Sequence, residues 1–402
     1  MKILFMSLSD YKTIYFHGLY SDLLRQFIAH GDEVFVISPV EKHAGEKERV
    51  IKETGCTLLK LIIGNMQKTN IIEKGISTLE IERIIIKGIK KYFFNIKFDL
   101  ILYTTPPITF CRVVEYVKKR DGAKTYLLLK DIFPQNAVDI GIMSKTGIKG
   151  IFYRYFRYKE KRLYNISDMI GCMSQANVDY VIKHNPDIDP GKVEVCPNST
   201  EPIDMSCTRE EREKIRLKYG IPLNKKVFVY GGNLGKPQGI SFIIECLKSQ
   251  RKNMDVFFLI VGAGTEYGKL EQYVKEYKPS NVKLMKRLPK EDYDRMIGSC
   301  DVGLIFLDHR FTIPNFPSRL LSYMQAKLPV LACTDPNTDI GRVIVDAGFG
   351  WWCESDDAKM FGNIIVDILN LESFETMKEN AFSVLIQKYS ACNSYHIIAR
   401  LL

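Results

Sequence analysis

Residues 227–247 read VFVYGGNLGKPQGISFIIECL. A run of β-branched and aromatic residues stops at a glycine pair. A short polar loop follows, and from Ile240 the apolar residues fall at helical spacing. The order is strand, glycine-rich loop, helix. In a parallel sheet such a loop lies at the carboxyl end of its strand, where ligands bind. Gly231, Gly232 and Gly235 let backbone amides approach an oxyanion, and Lys236 adds a point charge. The loop has neither GK[ST] nor GxGxxG. A plain βα turn that needs glycine for its geometry fits the same residues.

The same grammar extends in both directions. Downstream, VFFLIVG (256–262), VKLMK (282–286), DVGLIFL (301–307), PVLAC (329–333) and GWWCE (350–354) read as strands. Upstream, so do KILFMSL (2–8), EVFVIS (33–38), LLKLII (58–63), DLILYT (99–104), TYLLLK (125–130), MIGCMS (169–174) and VEVC (193–196). Between the first two lies GLYSDLLRQFIAHGDE, with Leu19, Leu23, Leu24, Phe27 and Ile28 at helical spacing and Gly31 as its stop. Alternating strands and helices predict parallel sheets. PNSTEPIDMSCTREEREK, from 197, is polar and turn-forming and breaks the series. The expected organisation is two α/β domains, 1–200 and 201–385. The sequence leaves open whether 386–402, the end of a final helix over 373–402, crosses back to the first.

The chain of 402 residues exceeds what one core usually serves. Its 46% apolar and 26% charged residues are those of a soluble globular protein. MKILFMSLSD is too short for a signal segment, and no apolar run is long enough to span a bilayer. The ten cysteines are scattered, with no CxxC pair and no Cys/His cluster, which argues against a disulfide framework or a zinc site. A cytoplasmic protein is expected. The net charge of +10 fits nucleic acid, an anionic membrane face or anionic substrates. Residues 145–164, KTGIKGIFYRYFRYKEKRLY, hold seven basic residues, one acid and six Phe/Tyr. Residues 73–97 again mix isoleucine and phenylalanine with lysine. Both suit an interfacial membrane helix, and equally a helix with one core face and one basic face. Neither fits a known DNA or RNA module, so nucleic acid is not expected as a partner.

Five further loops follow strands. Gly262 and Gly264 come before Glu266, which opens a helix and complements its N-terminus. Arg287-Leu288-Pro289 offers backbone around Leu288 to a base. Lys130 and Asp131 end an apolar strand, where a carboxylate suits acid, base or hydroxyl-binding work or caps a turn. His17-Gly18, in the first βα loop, has the same ambiguity. The last loop lies within FTIPNFPSRLLSYMQAKLPV, 311–330. It sets Asn315, Phe316, Ser318 and Arg319 before an amphipathic helix and carries no carboxylate or histidine.

Together these loops resemble the retaining GT-B glycosyltransferases of family four, most of all those that build bacterial O-antigen and capsule polysaccharides. HGLYSDLLRQFIAHGDEVFVIS looks like that family's first βα unit. YNISDMIGCMSQANVDYVIKH and VEVCPNST resemble its "ad-x-i-x-x-S" strand and "v-i-p-N" segment. YGGNLGKPQG, with Lys236 and Gln238, is similar to its donor-phosphate loop. GAGTEYGKL resembles "G-x-G-x-e-x-x-x-L", and FPSRLLSYMQAKLPVLA resembles "PSKllsYmaaGkPvla". The resemblance spans nearly the whole chain.

It implies two Rossmann-like domains facing a central cleft. It also implies sugar transfer, with retention, from a nucleotide-diphosphate-sugar, most commonly of uridine, without metal or cofactor. Gly232, Asn233, Gly235, Gly262, Gly264, Glu266, Leu288, Asn315, Phe316, Ser318 and Ser322 would bind the donor. Lys236 and Arg319 would stabilise the leaving diphosphate, and Asp131 would act in catalysis. His17, Gly18 and Lys130 would face the acceptor, a polyprenyl-diphosphate-linked glycan. The enzyme would sit peripherally on an anionic surface, the inner face of the cell membrane. The chain departs from the pattern at Pro314 and Ser322, where many members carry glutamates for the donor sugar and ribose. A nucleotide-sugar epimerase of the same fold and a non-catalytic partner subunit of a membrane glycosyltransferase complex are the alternatives.

Overall fold

The computed structural model describes residues 1–65 and 71–402, with side chains throughout except at 71–79. It divides into two compact units, Met1–Glu201 with Ala391–Leu402, and Pro202–Ser390.

The first unit carries β1 (Lys2–Met6), β2 (Glu33–Glu41), β3 (Arg49–Glu53), β4 (Cys56–Ile63), β5 (Leu100–Thr104), β6 (Lys124–Leu129), β7 (Met169–Cys172) and β8 (Val193–Val195). They form one sheet in the order β3-β4-β2-β1-β5-β6-β7-β8. All pairs are parallel except β3 with β4. Strand β3 is the one the sequence does not announce. RVIKE is an edge strand with mostly exposed residues, so it lacks the buried face that produces a readable pattern.

The helix Leu19–Ala29 buries Leu23, Leu24 and Phe27 on the sheet. They join Ile3, Phe5, Val36 and Leu128 in one core. The isoleucines of the 73–97 stretch behave as a core face: Ile81, Ile85 and Ile89 are fully buried in the helix Ile71–Tyr92. The side chains of 73–79 lie outside the described residues.

The final helix expected over 373–402 is two helices, Glu375–Tyr389 and Ala391–Ala399, parted where Ser390 turns extended (φ −73°, ψ 146°). Ser390 ends the second unit and Ala391 rejoins the first. The Ala391 amide donates to Thr200 O at 2.9 Å, Ile398 is fully buried, and the Tyr395 ring meets Phe27 edge-on at 4.9 Å. Burying a side chain such as Ile398 contributes about 2 kcal/mol.

The second unit holds β9 (Lys226–Asn233), β10 (Val256–Ala263), β11 (Val282–Lys286), β12 (Val302–Phe306), β13 (Val330–Thr334) and β14 (Gly350–Glu354). They form a wholly parallel sheet, β11-β10-β9-β12-β13-β14. The carboxyl ends of β9, β10, β12 and β13 therefore lie side by side. At the opposite edge, buried Arg216 donates to Asp301 Oδ2 at 2.7 Å, and that oxygen also accepts the Val227 amide at 2.7 Å. This pair fixes where β9 and β12 begin. Eight of the ten cysteines are buried, as ordinary small core residues.

Candidate active site

In the second unit the glycine loop after β9 is shaped from within. Gln238 Oε1 accepts the Gly235 amide at 3.1 Å and Asn233 Nδ2 at 3.0 Å. The Gly235 amide is thus already engaged inside the loop. Lys236 is exposed and makes no ion pair among the described residues. Two glycines of the loop stand against side chains. A Cβ on Gly231 would lie 1.8 Å from the Tyr293 hydroxyl, and one on Gly232, at φ 122°, would meet Arg319 Nη2 at 3.5 Å.

The loop after β10 is joined to it through backbone. Leu234 N donates to Ala263 O and Glu266 N to Leu234 O, both at 2.9 Å. A Cβ on Gly262 would fall 2.1 Å from Gly232 O, and one on Gly264 2.3 Å from Leu234 O. Gly262 and Gly264 are therefore required by the close approach of two chains. Glu266 pairs with Lys269.

Arg319 starts the helix Arg319–Gln325, and its guanidinium lies 4.2 Å from the centre of the Tyr230 ring. Tyr230 Oη donates to Asn233 O at 2.7 Å, which ties this platform to the glycine loop. Tyr323 Oη lies 3.1 Å from Val229 O and 3.0 Å from Leu304 O, anchoring the other side. Burial raises the phenols of Tyr230, Tyr293 and Tyr323, so all three stay neutral beside the cation. Arg319 Nη1 is buried without a hydrogen-bond partner. A guanidinium that keeps one buried nitrogen unpaired suits an anion.

Elsewhere in the segment, Phe316 is buried and stacks on Tyr389 at 5.9 Å, so it packs. Ser318 is exposed and Ser322 half-buried, while Leu288 is half-buried just before the helix Lys290–Gly298. Asn315 Nδ2 is buried and unpartnered. The sequence reading missed a forked pair here. Arg310 donates Nε to Asp308 Oδ1 at 2.8 Å and Nη2 to Oδ2 at 2.7 Å, and the Asp308 amide donates to Pro237 O at 3.0 Å. It also missed Asp335, whose carboxyl burial pushes up to about 6.

In the first unit, burial likewise pushes Asp131 up to about 6, while Asn136 Nδ2 donates to its Oδ1 at 2.6 Å. Burial lowers the neighbouring Lys130, whose Nζ donates to Cys196 O at 3.2 Å. Lys130 lines a small cleft with Tyr20, Leu23, Asn198 and Ser199. His17 Nδ1 stands 3.6 Å from both Asp22 Oδ1 and Glu201 Oε2. Those donors could hold a cation, but the Arg25 Nη2 already lies 2.6 Å from the first carboxylate and 2.9 Å from the second. Gly18 is extended (φ 179°), and a Cβ there would make only an ordinary contact with Ser21 Oγ at 3.7 Å, so the fold itself does not demand glycine there.

Residues 211–384 match the model of the family described as glycosyl transferases group 1. Among curated proteins, the chain is 26% identical over 320 residues to WbjE of Pseudomonas aeruginosa, described as a probable glycosyltransferase; the match covers 77% of this chain and 78% of that protein. It is 21% identical over 249 residues to WcaI of Escherichia coli (strain K12), assigned to colanic acid biosynthesis as a glycosyl transferase, covering 61% and 60%. Among solved structures, it is similar to sucrose-phosphate synthase from Thermosynechococcus elongatus, with a TM-score of 0.77 at 14% identity over 100% of this chain and 98% of the other. It is also similar to HepE of Anabaena in complex with UDP, with a TM-score of 0.69 at 16% identity, covering 100% and 99%. Residues 211–384 thus carry a domain similar to the glycosyl transferases of group 1, and the two sheets, with the likeness to these solved structures, give the chain the GT-B fold.

Proposed function

We propose that the chain transfers a sugar, with retention of anomeric configuration, from a nucleotide-diphosphate-sugar to a hydroxyl of a lipid-linked glycan. One observation carries this reading: Arg319, stacked on Tyr230 at 4.2 Å beside the glycine loop, with a buried nitrogen that lacks a partner. As the bond from anomeric carbon to phosphate oxygen breaks, negative charge grows on the leaving diphosphate. A cation fixed and desolvated in advance stabilises that charge without reorganising. The acceptor oxygen bonds to the anomeric carbon from the same face, and its proton passes to the leaving phosphate oxygen. No enzyme nucleophile and no metal is required. Lys236 adds a second, mobile charge. Asp131, titrating near neutrality, accepts a hydrogen bond from an acceptor hydroxyl.

Uridine is the first nucleotide to test, supported by the UDP in the HepE complex. A membrane-borne acceptor is supported by the helix Gly147–Ile166. Its first turns expose Ile148, Ile151 and Phe152, at 79%, 58% and 57%, beside Lys145, Lys149 and Arg154. Exposed apolar residues rimmed by cations suit an anionic lipid surface. No helix among the described residues is long and apolar enough to cross a membrane.

The test is a panel of UDP-, GDP- and dTDP-sugars read first by thermal shift and then by transfer to polyprenyl-diphosphate-linked glycans in EDTA. One donor should stabilise the protein and give a product of the donor's own anomeric configuration. Inverted product would sink retention. Activity lost in EDTA and restored by a divalent ion would sink the metal-free mechanism. Interconversion of donor without acceptor would favour the epimerase.

A further inference from the structure

Residues 309–327 contain no carboxylate. One strand over, the turn after β13 supplies one. Asp335 is fully buried, and its Oδ1 accepts the amides of Asn337 at 2.9 Å and Thr338 at 3.2 Å. Those two bonds close the turn. The closed turn then grips the segment after β12 at two points. Asn337 Nδ2 donates to Phe311 O at 2.6 Å, and Thr338 Oγ1 donates to Asn315 O at 2.5 Å. Ile313 and Pro314, between the grips, are buried.

At this junction Asn315 Nδ2 and Asp335 Oδ2 are both buried without partners. Buried polar atoms seldom stay unsatisfied. Arg319 Nη1, four residues on from Asn315, is a third. Two of these three atoms lie on the segment that leads from β12 into its helix, and the third belongs to the turn that grips it. A stretch designed only to pack would satisfy them. A ligand that brings the missing partners accounts for leaving them open.

We propose that turn 335–338 is a clasp that positions Asn315, and that Asn315 Nδ2 donates to a hydroxyl of the donor's sugar. The inference rests on the nucleotide-sugar reading above and assigns it a sugar-reading residue. Asn315 touches the ligand. Asp335, Asn337 and Thr338 act through it and are positioning residues. The diphosphate is served by Arg319 and Lys236, so the clasp governs the sugar's share of affinity and leaves the nucleotide's share alone.

The experiment measures two affinities by calorimetry on the whole chain: for the free nucleoside diphosphate and for the nucleotide-sugar that stabilises it best in the panel. The proteins are wild type, Asn315→Ala, Thr338→Val and Thr338→Ser, each checked by thermal melting. Asn315→Ala and Thr338→Val should weaken the nucleotide-sugar by about tenfold, the worth of a lost hydrogen bond and its geometry. Their affinity for the diphosphate should stay within about twofold of wild type, a change too small to count as a lost contact. Thr338→Ser, which keeps the hydroxyl, should restore the sugar term. Equal weakening of both ligands overturns the clasp as a sugar-positioning device and leaves it a stabilising turn. Unchanged affinity for the nucleotide-sugar in Asn315→Ala overturns the contact. If wild type binds no nucleoside diphosphate and no nucleotide-sugar, the underlying reading falls, and the inference with it.

Discussion

Two cations flank one glycine loop, and the protein builds them in opposite ways. Lys236 sits within the loop sequence, exposed, on a flexible stem. Arg319 comes from a helix start 83 positions further on and is pressed against the Tyr230 ring, with the Tyr293 hydroxyl where Gly231 has no side chain. Water and salt screen the first charge and barely reach the second. The difference teaches that a lysine beside glycines is not what makes a phosphate site strong. Desolvation and fixed orientation do that, and both come from the tyrosines around Arg319.

The comparison breaks if the two cations turn out equivalent. Arg319→Ala should lower kcat/KM by about 100- to 1,000-fold, the range for removing one preorganised donor from a site of developing negative charge. Arg319→Lys should recover little of this, because an ammonium neither stacks on the ring nor forks to two oxygens. Steady-state kinetics with the preferred donor decide it, and a Lys236→Ala loss as large as that of Arg319→Ala would refute the ranking.

The tyrosine platform should matter next. Tyr230→Leu keeps an apolar side chain under Arg319 but removes the ring face and the bond to Asn233 O. A desolvated cation–π contact is worth about 2 kcal/mol, so kcat/KM should fall by about thirtyfold. Tyr230→Phe, which keeps the ring, should lose much less. Lys236→Ala should cost about threefold at low salt and less as salt rises, as for any exposed charge. A loss that does not shrink with salt would mean that Lys236 is desolvated once donor binds.

These contacts also mark the limit of what the sequence could tell. Among the described residues, thirteen of the fourteen strands follow from short apolar runs, because a buried parallel strand must be apolar along its length. Only β3, an edge strand, escapes. The glycines were visible but their reasons were not. Gly262 and Gly264 read as donor-binding residues, and the structure adds a reason of its own for glycine, since two backbones touch there. Asn315, Lys236 and Arg319 stood out by lying after strands. The Tyr230 platform, the Asp308–Arg310 fork bonded to Pro237, and the Asp335 clasp did not. Each depends on which strand ends are neighbours, and the order β9-β12-β13 is not written in any local pattern. The break at Ser390 was hidden for another reason, since no glycine or proline marks it.

A last effect, on stability rather than on rate, sharpens the comparison by measuring how dry this edge of the sheet is. Asp335 buries a charge of opposite sign near the same strand ends, and burial moves its carboxyl from 3.8 to about 6. A carboxyl raised on folding binds its proton more tightly in the folded state. Its contribution to stability is therefore complete below about pH 4 and is lost as pH climbs through about 6. Asp335→Asn cannot ionise, yet can still accept the Asn337 and Thr338 amides on Oδ1. It leaves a buried amide donor where Oδ2 was, a cost of about 1–3 kcal/mol that does not change with pH. The melting temperature of the variant should therefore gain on wild type as pH rises from about 4 to about 7, by the equivalent of about 2–3 kcal/mol, and then level off. A difference that stays flat across that window would mean that Asp335 is hydrated in solution.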